Sequence, residues 1–138
     1  MLHGEDVTDS LVVPRDHPFF KGSPRESYRQ IHECVARTLI GAALAAGTAR
    51  QTSAACFENP VQHDVLIGNR KVAGGAQRRT KWGLLHQGSI QDAGNASDLA
   101  ERFSRRHRVV ALTAGIQIEA IELARSKYAT KEWMRRIC

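Results

Sequence analysis

The spacing of apolar and polar side chains changes period several times along the chain, and each change suggests an element. Ser10-Leu11-Val12-Val13 is β-rich and closed by Pro14, which predicts a short strand. Residues 14–23 carry Pro14, Pro18 and Gly22 and read as a loop. Ser23-Pro24-Arg25-Glu26 then offers an N-cap serine, a proline at N1 and a glutamate at N3. Tyr28, Ile31, Val35, Leu39, Ala42 and Ala46 follow at the helical period, so a helix is predicted from Pro24 to the stop at Gly47. Residues 48–60 have no clear period. Asp64–Ile67 and Arg70–Ala73 are two short β-prone runs around Gly68-Asn69, the pattern of a hairpin with a type II′ turn. Pairing outward from that turn sets Val65 opposite Val72 and Leu66 opposite Lys71. Lys71 then shares a sheet face with Leu66, Ala73 and Gly75. A third strand is predicted over Gly83–Ile90. Helices follow over about Ser97–His107 and Ala114–Lys127, the second with a stripe of Ile116, Ala120, Leu123, Ala124 and Tyr128. A last short turn starts at Thr130.

Strands followed by helices predict an α/β protein of the α+β type: an incomplete mixed, largely antiparallel sheet with helices packed against it. The 138 residues suit one domain, or a piece of a larger one, with the sheet and first helix in 1–95 and a helical part in 96–138. Hydrophobic residues at 42% and charged residues at 25% are ordinary for a globular chain and exclude a mostly disordered one. No apolar run reaches the roughly 18 residues of a membrane span, and the N-terminus lacks the pattern of a signal peptide, so a cytoplasmic location is expected. Cys34, Cys56 and Cys138 form no C-x-x-C pair and the six histidines no H-E-x-x-H, so no metal site is expected. The net charge of +6 favours an acidic partner. With aromatics at 6% and no reading motif, nucleic acid is the weaker choice.

Candidate chemistry concentrates in one block. Gly74-Gly75-Ala76 lets a ligand or another backbone come close, or else marks a bend at a sheet edge. A lysine at 71 on a small or apolar face is unusual, although many such lysines reach solvent. The block reads ACFENP, then HDVLIGNRKVAGGAQRRTKWGLLHQGSI. It resembles the catalytic core of the lipoate–protein ligase and octanoyltransferase superfamily, that is, the biotin/lipoate protein ligase catalytic domain. The A-C-F segment 15 residues before the lysine resembles the cysteine-dependent octanoyltransferases more than the ATP-using ligases.

That resemblance implies an octanoyl group taken from acyl carrier protein as a cysteine thioester and passed to a lysine of a lipoyl-carrier protein. By match of position, Cys56 is the nucleophile. Lys71 is the cation near the acyl carbonyl, where an ammonium would stabilise a developing oxyanion. Gly74, Gly75, Ala76 and Gln77 match the residues beside the acyl path, and His86 and Gly88 the strand lining it. No cofactor is implied, with ATP needed only if the chain is a ligase. Cationic Arg70, Lys71, Arg78, Arg79 and Lys81 would steer acidic carriers. Three departures accompany the match. The family's upstream Arg-Arg-x-x-Gly-Gly-Gly segment is absent, Asp9 stands where an aromatic residue is usual, and Gln87 replaces a common histidine. The implied chain is therefore the rear part of a longer enzyme, the product of a gene read from a misplaced start, or one half of a split enzyme, with an exposed sheet edge. A non-catalytic fragment that only binds carriers is the competing reading.

Overall fold

Residues 6–48, 59–91 and 97–137 are described by the computed structural model of the protein. They fall into two units, Met1–His107 and Arg108–Cys138.

The first unit is a five-stranded sheet with helices. Strand β1 (Val7–Pro14) alternates strictly: Val7, Asp9, Leu11 and Val13 turn inward, while Thr8, Ser10, Val12 and Pro14 are exposed. It begins three residues before the predicted start and ends in Pro14. A proline is tolerated there because β1 is an edge strand and loses no ladder donor. Helix α1 (Pro18–Lys21) is one turn inside the predicted loop, capped by His17.

Helix α2 (Pro24–Ala36) starts as predicted, with Ser23 Oγ accepting from the Glu26 N–H at 3.1 Å. Glu26 does not complete the reciprocal half of the box in the hydrogen bonds observed; it takes Arg29 at 2.7 Å instead. The helix ends eleven residues before the expected stop at Gly47. Thr38 donates its hydroxyl back to the Val35 carbonyl, and Gly41 turns the chain with φ 73°. Ala42–Leu44 then forms strand β2, pairing with strand β3 (Val65–Ile67). Apolar spacing at 39, 42 and 46 fits a helix, but tertiary pairing overrides it.

Strands β4 (Arg70–Thr80) and β5 (Gly83–Ile90) form a long hairpin, and the sheet order is β1-β5-β4-β3-β2. All four pairings are antiparallel. Gly74-Gly75-Ala76 is thus continuous strand rather than a bend. The β3–β4 turn has φ 59° at Gly68 and no positive φ at Asn69, consistent with type II′.

Helix α2 covers one sheet face. Ile31 seals a core patch with Val13 and Leu84; Val35 seals another with Val65, Val72, Ala73 and Ile90. Each of the buried valines, isoleucines and the leucine among them contributes about 1.5–3 kcal/mol. Helix α3 (Ser97–Phe103), shorter than predicted, adds Leu99 and Phe103 to these patches.

In the second unit, helix α4 (Ala114–Leu123) widens into a π-helical turn (Ala124–Tyr128) and is followed by helix α5 (Lys131–Ile137). Ser126 back-bonds to the Glu122 carbonyl where the helix widens. Lys127 lies over the edge-packed rings of Tyr128 and Trp133, at 5.2 and 5.1 Å. Ile116, Ile118, Ile121 and Leu123 ring α4 and are exposed, so the predicted single stripe is not what distinguishes this helix. Among the described residues no helix is long and apolar enough to cross a membrane.

Candidate active site

One irregularity sets the site's geometry. Leu66 pairs with Lys71 as predicted, but Val65 pairs with Ala73, leaving Val72 as an extra residue on β4. This β-bulge corrects the expected Val65–Val72 pair and reverses the facing of everything on one side of it. Val72 and Ala73 both sink into the core under Val35. Lys71 stays on the Leu66 face and is parted from Ala73 and Gly75, contrary to the simple alternation. It lies against Gly74 instead: a Cβ added to Gly74 would meet Lys71 Cε at 2.6 Å and Nζ at 2.8 Å.

The ammonium is held by a residue just outside β3. Lys71 Nζ contacts Asp64 Oδ2 at 2.8 Å, with the lysine side chain 10% exposed and the carboxylate 0%. Asp64 Oδ2 also accepts the Val61 N–H at 2.7 Å, and Oδ1 accepts the Tyr28 hydroxyl at 2.6 Å. Two charges removed from water this far persist only when paired and hydrogen-bonded. The hydroxyl of Tyr28 in turn accepts the Gly75 N–H at 3.1 Å. β3 stops opposite Ala73, so Gly75 has no strand partner on that side and the tyrosine takes its place. Burial, then the bond to Asp64, pushes the Tyr28 phenol far above its ordinary range, so it remains a donor.

The face under α2 carries a second cluster. His86 and His32 are fully buried and meet edge-on at 5.4 Å, with Tyr28 tilted against His32 at a centroid distance of 4.0 Å. His32 Nδ1 lies 2.7 Å from the His63 carbonyl, which fixes a proton on that nitrogen. Burial lowers the pKa of both rings, His86 to about 4 with a further push from His32, so both are neutral. Gln77 is oriented by its partners: its amide nitrogen donates to Ser27 Oγ at 3.0 Å and its oxygen accepts from the Tyr28 N–H at 3.2 Å. Two glycines, Gly75 and Gly88, sit directly opposite on β4 and β5. His86 fills the space over Gly75, where a Cβ would come 2.7 Å from the ring. Asp9 fills that over Gly88, its Oδ1 2.5 Å from a Cβ there, and burial raises its carboxyl pKa.

The candidates therefore divide. Lys71 and Gly74 meet on one face; Gly75, Gln77, His86 and Gly88 meet on the other, while Ala76 is exposed. Cys56 lies outside the described residues. Cys34 is half-buried, with burial raising its thiol pKa. Of the five cations between 70 and 81, Lys71 is in the ion pair. Arg79 turns inward to the carbonyls of Phe20 and Phe19 at 2.9 and 3.2 Å. Arg70, Arg78 and Lys81 remain exposed. Sequence reasoning missed Tyr28 and Asp64. Tyr28 has the spacing of a core position, and Asp64 is one acid before a strand; a buried lysine's need for a counter-ion is the signal that could have found it. Among the described residues no group of His, Cys, Asp and Glu could hold a metal ion.

A family model described as the lipoyl protein ligase A/B catalytic domain matches residues 1–118. The chain is 36% identical over 107 residues to the octanoyltransferase LipM of Moorella thermoacetica, covering 72% of this chain and 39% of that one. It is 37% identical over 101 residues to the octanoyltransferase LipM of Kyrpidia tusciae, covering 65% and 37%. The chain thus spans well under half the length of these curated relatives. In fold it is similar to a T. acidophilum protein described as a candidate lipoate protein ligase: TM-score 0.59, 19% identity, 93% of this chain and 64% of that one. A structure of the same protein with bound lipoic acid aligns at TM-score 0.60 and 21% identity.

Proposed function

Because the chain belongs to the lipoyl protein ligase A/B catalytic-domain family, we propose that it takes part in protein lipoylation. In this reading it moves an octanoyl group from acyl carrier protein, through a thioester on Cys56, to a lysine of a lipoyl-carrier protein. The observation that carries the reading is the Lys71 ammonium, fixed by a fully buried carboxylate and packed against Gly74. The Cys56 thiolate attacks the carrier thioester carbonyl. The oxyanion that forms is stabilised by Lys71, and the carrier thiol departs with a proton. The acceptor's lysine amine then attacks the Cys56 thioester. An amide forms, the Cys56 thiolate leaves, and the amine loses a proton. An ammonium held by Asp64 suits electrostatic stabilisation and not nucleophilic attack, which needs a free amine. Exposed Arg70, Arg78 and Lys81 would attract acidic carriers, and an acyl-carrier donor places the reaction in the cytoplasm.

The test is intact-mass analysis after incubation with octanoyl acyl carrier protein and an unmodified lipoyl domain. The expected result is one octanoyl group on the chain, absent in Cys56→Ala, followed by its appearance on the lipoyl domain. Modification that requires ATP and free lipoate and survives Cys56→Ala would favour the ligase route. Carrier binding with no acyl group on either protein would leave a binding fragment and end both enzymatic readings.

A further inference from the structure

We propose that Tyr28 is a positioning residue for Lys71, acting through Asp64, so that the cation of the site is tied to the backbone of β4 by way of helix α2. The inference rests on the proposed role of Lys71 and names what holds that lysine in place.

Three features carry it. First, the links are contiguous: Gly75 N–H to Tyr28 hydroxyl at 3.1 Å, Tyr28 hydroxyl to Asp64 Oδ1 at 2.6 Å, and Asp64 Oδ2 to Lys71 Nζ at 2.8 Å. Second, the division of labour on the carboxylate is asymmetric. Oδ2 takes Lys71 and the Val61 N–H, while Oδ1 takes the phenol, so removing the hydroxyl frees one oxygen to swing the carboxylate. Third, the tyrosine ring is anchored independently of its hydroxyl, tilted against His32 at 4.0 Å and against His86 at 5.8 Å. Tyr28→Phe can therefore keep the ring in place and delete only the link. The anchoring also explains why the phenol reaches the unpaired Gly75 N–H. The ring spans from α2 to the point where β3 leaves the edge of β4.

The experiment reads Lys71 twice. Competitive labelling of the lysines with acetic anhydride, with the modified sites identified by mass spectrometry, reports how well the Lys71 ammonium is held and needs no activity. Removing one hydrogen bond to a charged group is expected to speed labelling of Lys71 about tenfold in Tyr28→Phe. Asp64→Asn should speed it about 100-fold, and the double variant should match Asp64→Asn alone, since Tyr28 acts only through that carboxylate. In the octanoyl-transfer assay Tyr28→Phe should lower kcat about tenfold with KM for the carrier within about twofold.

Wild-type labelling of Lys71 in Tyr28→Phe overturns the proposal. So does a double variant in which the two effects multiply, because Tyr28 would then act by another route. Should Asp64→Asn not fold, the Tyr28→Phe comparison decides alone. If the wild-type chain transfers no acyl group, the proposed function fails while the labelling still decides the tether. If transfer occurs and Tyr28→Phe leaves kcat unchanged, the function stands and the positioning role falls.

Discussion

Gly74→Ala separates the placement of Lys71 from the stability of the fold. The new Cβ would stand 2.6 Å from Lys71 Cε, 2.8 Å from Nζ and 3.1 Å from Asp64 Oδ1. Ordinary contact begins near 3.4 Å, so Cε must retreat by about 0.8 Å and Nζ by about 0.6 Å. At the limit where all of that movement is directed away from Asp64, the 2.8 Å ion pair stretches to about 3.4 Å, past the range of a good hydrogen bond. What yields is the tip of a flexible side chain, and Gly74 has no positive φ that alanine would strain. Stability should therefore change by less than about 2 kcal/mol, with alanine's lower unfolded-state entropy returning about 0.4–1 kcal/mol. Under the proposed role of Lys71, displacing its charge by most of an ångström should slow transfer about 100-fold, equal to about 2.7 kcal/mol of transition-state stabilisation. The assay pairs octanoyl transfer, followed by mass, with a thermal melt on the same sample. Wild-type turnover with an unchanged melt would refute the reasoning, because the position of the ammonium would not matter.

The neighbouring glycine should behave in the opposite way. A Cβ at Gly75 meets the buried His86 ring at 2.7 Å and the Gln87 carbonyl at 2.8 Å, so Gly75→Ala should destabilise by about 1–3 kcal/mol in urea titration. An unchanged midpoint would contradict that geometry. Lys71→Ala leaves Asp64 buried and uncompensated and should cost about 3–5 kcal/mol, so its activity must be read at a temperature where circular dichroism shows it folded. For His86 the folded pKa is below the unfolded one, so the unfolded chain binds the extra proton. Stability is then complete above about pH 6.5 and is lost as pH falls toward about 4, by up to about 3 kcal/mol from this ring. The lowered pKa of His32 has the same sign, whereas the raised pKa of Asp9 has the opposite one. The cleanest measure is the difference in melting temperature between wild type and His86→Gln, which should shrink on acidification; a difference flat in pH would sink the assignment.

How far the sequence could be read depended on whether a residue's neighbours were local. The start of α2 was legible because Ser23, Pro24 and Glu26 act within one turn, and the β3–β4 turn because Gly68-Asn69 sets its own backbone. β5 matched its predicted bounds, since its eight residues are closed by Gly83 and by the end of the alternation. The end of α2 was not legible. Leu39, Ala42 and Ala46 satisfy a helical period, and only the availability of β3 as a partner converts Ala42–Leu44 into a strand. The facing of Lys71 failed for a similar reason. Strict alternation assumes no extra residue, and nothing in Arg70–Ala73 announces that Val72 will be the one left over.

The family motif located Lys71, the glycines and His86 within one region but could not say which of them touch, because contact there depends on sheet face. The bulge puts Lys71 with Gly74 and sends Gly75 to His86, so adjacent glycines serve different walls. What the motif omits is the counter-charge. Asp64 lies seven positions before Lys71 and Tyr28 far earlier, in another element, yet both are needed to keep an ammonium in a site with 10% of its side chain exposed. An ammonium buried this far without a counter-charge would carry the full cost of leaving water. A carboxylate with no access to water, itself tied down by a phenol and a backbone amide, supplies that counter-charge. The site therefore extends beyond one motif on β4 to a tether that joins α2, the residue before β3 and the open edge of β4.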